Sequence, residues 1–396
     1  MTTIGRRPQT IAWLALVAAL FFFPYFDTWP GFAWFLRNLE ETTGLNLSVF
    51  EVTTFAVWLV ILTGLNLLTG YSGQISLGHS ALVAAGGYIA AILLDPDNST
   101  EVPVAVAVLG AGLGACAIGF AIGVPALRLS GPYLAIATLA LIVSLPQLLK
   151  LDNIAEWTGG ASGINLPTPH APSFLDGVVD DHQWLYYSVM FPAVIMTVLA
   201  WNLMRSRVGR AFIALRDSEI GAQQMGVNVA LYKTLAFGLS ALYAGVGGGL
   251  FAYQQQFVSP ESFGVFQSIQ LLVAVVIGGL ASILGSILAA AFFTFQVGVI
   301  GRLTEVIPAV DRLRWAFYGV LLIVMMVSLP TGAAGLVRRL ARLRLADVVS
   351  AWRSGDVGRA ISSLRERPAV VRILGAPSMK QTPTMETKQG GDDRSD

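Results

Sequence analysis

The chain has 396 residues, of which 55% are hydrophobic and only 12% are charged, and its formal net charge is +1. Water-soluble domains carry about 25% charged residues, so this composition excludes a mostly wetted surface. A net charge so close to zero gives no sign of a nucleic-acid partner, and none is expected. Long uncharged runs indicate an all-α polytopic membrane protein, because about 20 helical residues cross a hydrocarbon layer of roughly 30 Å. These runs do not alternate, which excludes a transmembrane barrel.

Apolar runs divide the chain into about ten predicted transmembrane helices. Arg6 and Arg7 precede the first run and no cleavage signal follows it, so we predict an uncleaved first span. The third run is rich in glycine and allows either a broken or a re-entrant path. The runs are, in chain order, residues 10–26, 49–69, 76–94, 102–127, 131–149, 184–204, 234–253, 266–280, 282–300 and 315–330.

The distribution of charge orients these spans. Twenty of the 25 Lys and Arg residues fall at the termini or in loops on the N-terminal side, and 15 of the 24 acidic residues fall on the other side. Because Lys and Arg are enriched in cytoplasmic loops, both termini are predicted to be cytoplasmic, which requires an even number of spans. The loop 205–233 is then cytoplasmic, and the loop 150–183 lies outside.

Catalytic and energy-coupling signatures are missing from the sequence. The pattern G-x-x-x-x-G-K-[ST] does not occur, so no P-loop nucleotide site is predicted. His79, His170 and His182 lack metal-ligand spacing, and no metal or cofactor is expected on this chain. Residues 55–94 and 102–127 contain no Asp, Glu, Lys or Arg, whereas proton-coupled transporters keep such groups within their spans. An enzyme and a self-powered transporter or channel are therefore disfavoured, and the pattern favours a pathway powered by other proteins.

Polar side chains in and beside the glycine-rich third run are candidates for lining such a pathway. They are Gln74, Ser76, His79 and Tyr88. Thr138, in the fifth run, is a further candidate. The alternative for the first four is that they act as hydrogen-bonding glue between tightly packed helices, and for Thr138 that it bonds back to its own helix. The sequence leaves both interpretations open.

The stretch "RDSEIGAQQMGVNVALYK" in the cytoplasmic loop predicts a short helix of two to three turns. Asp217 or Ser218 can cap its N-terminus, and Glu219 lies in the first turn, where the helix dipole favours an acid. Gly226 suits the C-terminal stop. Glu219 and Ala222, three residues apart, share the face that we expect to contact a cytoplasmic partner. The alternative is a solvated loop whose basic residues only set the topology.

Five motifs, in this order, resemble the LivM-type permease subunit of branched-chain amino acid ABC transporters. They are "GQISLGHSALVAAGGYIAA", "RLSGPYLAIATLAL", "TGGASGI", the cytoplasmic stretch with the span after it, and "VVIGGLASILGS". The resemblance covers roughly residues 50–335. Two departures occur in the last motif, where Ser286 replaces a frequent proline and Ala281-Ser282 replaces the commoner Gly-Thr. We expect little effect on the fold.

The resemblance implies a permease of the bacterial inner membrane that forms half of a translocation pore for branched-chain amino acids. The implied partners are a LivH-type second permease, two cytoplasmic ATPase subunits that use ATP, and an extracytoplasmic solute-binding protein. The coupling helix that would contact an ATPase subunit contains Arg216, Asp217, Glu219, Ala222 and Gly226. A permease of the same family for urea, short amides or other amino acids is the alternative.

The resulting division of the chain has five parts. Leu340, Leu343 and Val348 alternate with arginines near helical spacing, which predicts a basic amphipathic tail on anionic membrane lipid. The polar residues that follow are predicted to be disordered. The parts are residues 1–48 with the first span and an outside loop, 49–335 as the permease domain, 205–233 within it as the coupling loop, 336–376 as the basic tail, and 377–396 as the disordered end.

Overall fold

The computed structural model describes residues 23–25, 38, 48–95, 102–126, 132–171, 179–306, 319–320, 323–324 and 332–338. Nearly all of the predicted segments 10–26 and 315–330 lies outside the described residues. The disordered end, almost all of the basic tail and both termini lie outside them as well. Everything below concerns the described residues.

Eleven helices of the described region have assigned bounds, and they follow the predicted runs closely. In chain order they are α1 (Val49–Leu65), α2 (His79–Leu94), α3 (Val104–Ala126), α4 (Pro132–Leu149), α5 (Asp152–Thr158), α6 (Asp181–Arg205), α7 (Arg207–Asp217), α8 (Glu219–Gln224), α9 (Val229–Gln255), α10 (Val265–Gly278) and α11 (Ile283–Val306). A π-helical turn, Asn66–Tyr71, continues α1, and a 3-10 turn, Pro260–Phe263, precedes α10. Eight of the ten predicted runs therefore coincide with helices.

Four helical segments in the described region are long and apolar enough to cross a membrane. They are Val49–Tyr71, Val104–Pro125, Asp181–Arg205 and Val229–Gln255. Helices α4 and α5 form a fifth candidate, bent by 85° between Tyr133–Leu149 and Asp152–Thr158. Helix α2 has 16 residues, about 24 Å at 1.5 Å per residue, and the first three residues of the third run, 76–78, are not helical. The number of about ten spans stays a prediction.

The loops gather at two ends of the molecule, as the charge pattern predicts. At the predicted cytoplasmic end the Ala281 N–H donates to Asn66 Oδ1 at 2.9 Å, which joins the end of α1 to the turn between α10 and α11. At the predicted outer end Lys150 Nζ lies 3.4 Å from Glu261 Oε1, which joins the loops after α4 and α9. Both contacts agree with the predicted alternation of loops between the two ends.

A small β-pairing at the outer end differs from the all-α expectation. Strands β1 (Ile164–Asn165) and β2 (Phe257–Val258) pair antiparallel, with Ile164 opposite Val258. Gly163 has φ +75° and a Cβ there would lie 2.3 Å from the Val258 carbonyl oxygen, so only glycine permits the approach. The motif "TGGASGI" therefore forms a tight connection between two outer loops, which hydropathy alone does not reveal.

Helix α9 lies at the centre of the described helices and packs closely through small residues. A Cβ on Gly86 of α2 would lie 2.3 Å from Gly245 Cα, and one on Gly248 would lie 2.0 Å from the Val83 carbonyl oxygen. Helices in membranes associate through such close backbone contacts, because burial from lipid brings no hydrophobic gain. The glycines of α9 thus hold it against α2.

Candidate functional site

A non-helical break, residues 72–78, interrupts the chain between the π-turn and α2. Gly73 has φ +74°, a conformation that favours glycine. A Cβ on Gly78 would lie only 2.2 Å from the Thr138 carbonyl oxygen, so backbone of the break presses directly on α4. Irregular backbone within a membrane domain is tolerated where protein or a water-filled path surrounds it. The break is therefore the first element of the candidate site.

The backbone N–H and carbonyl of Leu77, in the break, form hydrogen bonds with neighbouring helices. Its N–H donates to Thr138 Oγ1 at 3.0 Å, and Ser268 of α10 donates to its carbonyl. Thr138 in turn donates to the Ala135 carbonyl at 3.0 Å. Thr138 thus combines two of the alternatives, since it bonds back to its own helix and also holds the break.

The predicted histidine lies at the start of α2 and is completely buried. His79 Nε2 is 3.1 Å from the Ile61 carbonyl oxygen of α1. Because a carbonyl only accepts, Nε2 carries the proton in this bond. His79 Nδ1 is buried and has no hydrogen-bond partner among the described residues.

Gln74 and Ser76 are also buried in the break, whereas Tyr88 lies apart from it. The Gln74 side chain donates to Ser72 Oγ at 3.0 Å and lies 3.5 Å from the Lys233 carbonyl oxygen. Tyr88 is nine residues farther along the chain than His79, and its buried hydroxyl has no partner among the described residues. The structure therefore brings four of the five candidates together around the break.

The cytoplasmic stretch forms two helices at the end of the molecule where the break begins. Helix α7 ends at Asp217, and Ser218 caps the short helix α8 by accepting from the Gly221 N–H at 3.1 Å. Asp217 instead pairs with Arg216 at 2.9 Å. Gly226 has φ +81°, as a C-terminal stop requires. With six residues, α8 has less than two turns and is shorter than predicted.

The face of α8 that the sequence indicated for docking is partly buried. Ala222 is only 4% exposed, because this side of the helix packs against the rest of the chain. Ile220 and Met225, by contrast, are 75% and 86% exposed. Glu219 and Ala222 share this face, with Ala222 buried and the Glu219 side chain 52% exposed, and its contact with a cytoplasmic partner stays a prediction.

Two contacts anchor α8 and the end of α7 that precedes it. Lys233 Nζ of α9 lies 2.7 Å from Glu219 Oε2, with side chains 11% and 52% exposed respectively. Arg216 Nη1 donates to the Gly70 carbonyl of the π-turn at 3.4 Å. A buried ammonium is costly unless an acceptor compensates it, so Glu219 is the required partner of Lys233. Sequence reasoning counted Lys233 only as a topology-setting cation.

Asn66 is a further residue that sequence reasoning missed. Its side-chain amide donates to the Ser282 carbonyl and to Ser286 Oγ, both at 2.9 Å. Its carbonyl oxygen accepts from the Ala281 N–H at 2.9 Å. One buried side chain therefore fixes the π-turn to the glycine-rich turn after α10. The available signal was an isolated amide in an otherwise apolar run.

Cavities of different size open beside α8 and near the outer loops. One of about 500 Å³ opens beside α8 at the start of α9, and it is lined by Gln223, Gly226, Val227, Asn228, Val229, Ala230 and Lys233. A larger one, about 1330 Å³, lies between α3 and α6 near the outer loops and is mainly apolar. Among the described residues no group of three or more His, Cys, Asp or Glu is arranged to hold a metal ion.

Comparison with known proteins identifies the family. Residues 48–329 match the family described as the permease component of branched-chain amino acid transport systems. The high-affinity branched-chain amino acid transport system permease protein LivM of Salmonella typhimurium is 33% identical over 318 residues, 75% of this chain and 72% of that protein. LivM of Escherichia coli is 33% identical over 316 residues, 74% of this chain and 71% of that protein.

A second group of relatives is named for the import of a different solute. The autoinducer 2 import system permease protein LsrC of Salmonella typhi is 32% identical over 148 residues, 35% of this chain and 40% of that protein. No solved structure gives a significant match to the chain. The apolar helices and the matches together describe a multi-pass membrane permease. The chain belongs to the family of permease components of branched-chain amino acid transport systems.

Proposed function

We propose that this chain is a permease subunit of an ATP-driven importer in a bacterial inner membrane and forms one half of its translocation pathway. A LivH-type permease supplies the other half, two cytoplasmic ATPase subunits supply the energy, and an extracytoplasmic binding protein supplies the solute. The sequence contains no P-loop, so ATP acts through partner subunits and not on this chain. Family membership supports the general role.

The observation that carries the proposal is the two-sided arrangement of α8. Glu219 anchors one side of α8 to a buried lysine, while Ile220 and Met225 are exposed on the opposite side. Large exposed apolar side chains beside a cavity of about 500 Å³ are typical of a protein interaction site. We assign this exposed side, and not the inward one, to contact with an ATPase subunit.

The four buried candidates around the break are proposed to support the pathway and not to face it. Gln74 and His79 have hydrogen-bond partners on α9 and α1, and Thr138 of α4 accepts from the Leu77 N–H in the break. A pathway between two permease subunits would run along surfaces that a single chain leaves exposed. The interpretation as polar glue is therefore favoured for these residues.

Branched-chain amino acids are the proposed solutes. The match to LivM covers about twice as much of this chain as the match to LsrC, at 75% against 35%. Urea, short amides or other amino acids are the alternative. Thermal-shift screening of the cognate binding protein against leucine, isoleucine, valine and urea distinguishes them. Stabilisation by urea and by none of the three amino acids would contradict the assignment.

The docking assignment is tested with Ile220→Asp in the complete transporter. A charge at the centre of an apolar contact is expected to weaken association with the ATPase subunits at least about tenfold. Leu151→Ser is the matched control, because Leu151 is 53% exposed at the outer end. The measurement is co-purification of ATPase subunits at graded concentration. Unchanged association of Ile220→Asp would contradict the assignment.

A further inference from the structure

Lys233 touches both the cytoplasmic helix α8 and the break. Its ammonium binds Glu219, the first residue of α8, at 2.7 Å. Its carbonyl oxygen lies 3.5 Å from Gln74 Nε2, inside the break. Lys233 is buried in the second turn of α9, where an ammonium is retained only if its partner stays in place. A displacement of α8 therefore acts directly on this residue.

Arg216 provides a second contact between the same two elements. Its guanidinium reaches the Gly70 carbonyl at 3.4 Å, and a Cβ on Gly73 would lie 2.8 Å from Arg216 Cγ. No gap separates the end of α7 from the break at this point. Close-packed elements transmit displacement instead of absorbing it, so the break cannot stay unchanged when the helix end moves.

The π-turn before the break is held firmly on its other side. Asn66 makes hydrogen bonds of 2.9 Å to Ala281 and Ser282 in the turn between α10 and α11, and to Ser286 in α11. Gly278 and Gly285 lie so close across that turn that a Cβ on Gly278 would meet the Gly285 carbonyl at 2.2 Å. The π-turn is therefore hydrogen-bonded to the region between α10 and α11 on one side and contacts the end of α7 on the other.

We infer that Lys233 is a positioning residue that transmits movement of the cytoplasmic helix α8 to the break at residues 72–78. The route runs from Glu219 through Lys233 to Gln74, with Arg216 as a parallel contact. The inference rests on the proposed function, since an ATPase subunit is what would move α8. It assigns to Lys233 a role in coupling and not in solute binding.

The test uses the complete transporter with Lys233→Met, which keeps most of the side-chain volume. Association with the ATPase subunits is expected to persist, because Ile220 and Met225 are untouched. Solute transported per ATP hydrolysed is expected to fall at least about fivefold, the lower range of measured coupling between sites. Thr234→Val is the control, because the one hydrogen bond of the Thr234 hydroxyl to a described residue is to the Ala230 carbonyl of its own helix.

A double variant with the two charges exchanged distinguishes loss of the Glu219–Lys233 contact from a folding defect. Glu219→Lys combined with Lys233→Glu restores an ion pair, so it is expected to recover part of the coupling lost in Lys233→Glu alone. No recovery in a monodisperse, assembled double variant would contradict the inference. An unchanged transport-to-ATP ratio in Lys233→Met would contradict it as well.

A labelling experiment separates this inference from the proposed function. Ile75 is 47% exposed in the break, and a cysteine there can be labelled in a chain that carries Cys116→Ala. Trapping the ATPase subunits with ATP and vanadate is expected to change the labelling rate in the parent and not in Lys233→Met. A change in both would overturn the role of Lys233 alone. No change in either, with ATP-driven uptake absent, would overturn the proposed function.

Discussion

Two lysine–glutamate pairs occur at opposite ends of the molecule and differ in what they connect. Lys233 and Glu219 are 2.7 Å apart, and the lysine side chain is only 11% exposed. Lys150 and Glu261 are 3.4 Å apart, with side chains 30% and 81% exposed. The first pair joins α8 to the buried helix α9, whereas the second pair joins two surface loops.

The difference indicates at which end of the molecule polar contacts fix the arrangement of neighbouring elements. At the cytoplasmic end, buried polar groups have few alternative partners, so each contact fixes one arrangement of the π-turn, the break and α8. At the outer end, water can replace either partner. Exposed ion pairs contribute about 0 to 1 kcal/mol, and the loss of one partner of a buried pair costs more. Substitutions should therefore have unequal effects at the two ends.

The largest contrast is expected between two asparagines. Asn66→Leu removes three buried hydrogen bonds and leaves the Ala281 N–H unpaired, which should lower the free energy of unfolding by about 3 kcal/mol. Asn165→Leu, at an exposed position of β1, should change it by less than about 0.5 kcal/mol. Apparent melting temperatures in detergent compare the two. Equal shifts would show that the cytoplasmic end is not specially constrained.

The next contrast lies within the first pair, Lys233 and Glu219. Glu219→Gln leaves a buried ammonium without its counter-charge and should cost about 2 kcal/mol. Lys233→Met leaves Glu219, half exposed, free to be solvated and should cost less than about 1 kcal/mol. Chemical denaturation of both variants measures the order. A larger loss in Lys233→Met would contradict the asymmetry.

A smaller and opposite effect is expected at Ala281, where the family commonly has glycine. Ala281 has φ +54°, a left-handed conformation that strains a side-chain-bearing residue. Ala281→Gly should raise the free energy of unfolding by about 0.5 to 1 kcal/mol, because relief of strain outweighs the added chain entropy. Thermal stability measures the gain. A loss would mean that the Ala281 methyl group makes compensating contacts.

The smallest effect is expected at the second pair, Lys150 and Glu261. Lys150→Met should change the free energy of unfolding by less than about 0.5 kcal/mol, because both partners are solvated. Raising the salt concentration should produce a change of similar size in the parent protein. A loss as large as that of Glu219→Gln would remove the distinction between the two ends.

The helices and their alternation between two ends were predictable from the sequence, because hydropathy and Lys/Arg bias act over whole segments. Such averages do not fix the ends of a helix, and the bounds of α9 and α11 accordingly differ from prediction by a few residues. Three features were not predictable: the burial of Ala222, the hydrogen bonds of Asn66 to the turn after α10, and the pairing of β1 with β2. Each depends on a contact between residues far apart in the chain, and periodicity within one segment carries no information about such contacts.

Dependence on ATPase subunits is tested most directly by uptake of labelled leucine into proteoliposomes. The vesicles contain this chain, its second permease and the ATPase subunits, with the binding protein outside. ATP inside the vesicles should drive accumulation, and Ile220→Asp should abolish it. Accumulation by this chain alone, driven by a proton gradient without ATP, would contradict the proposed function.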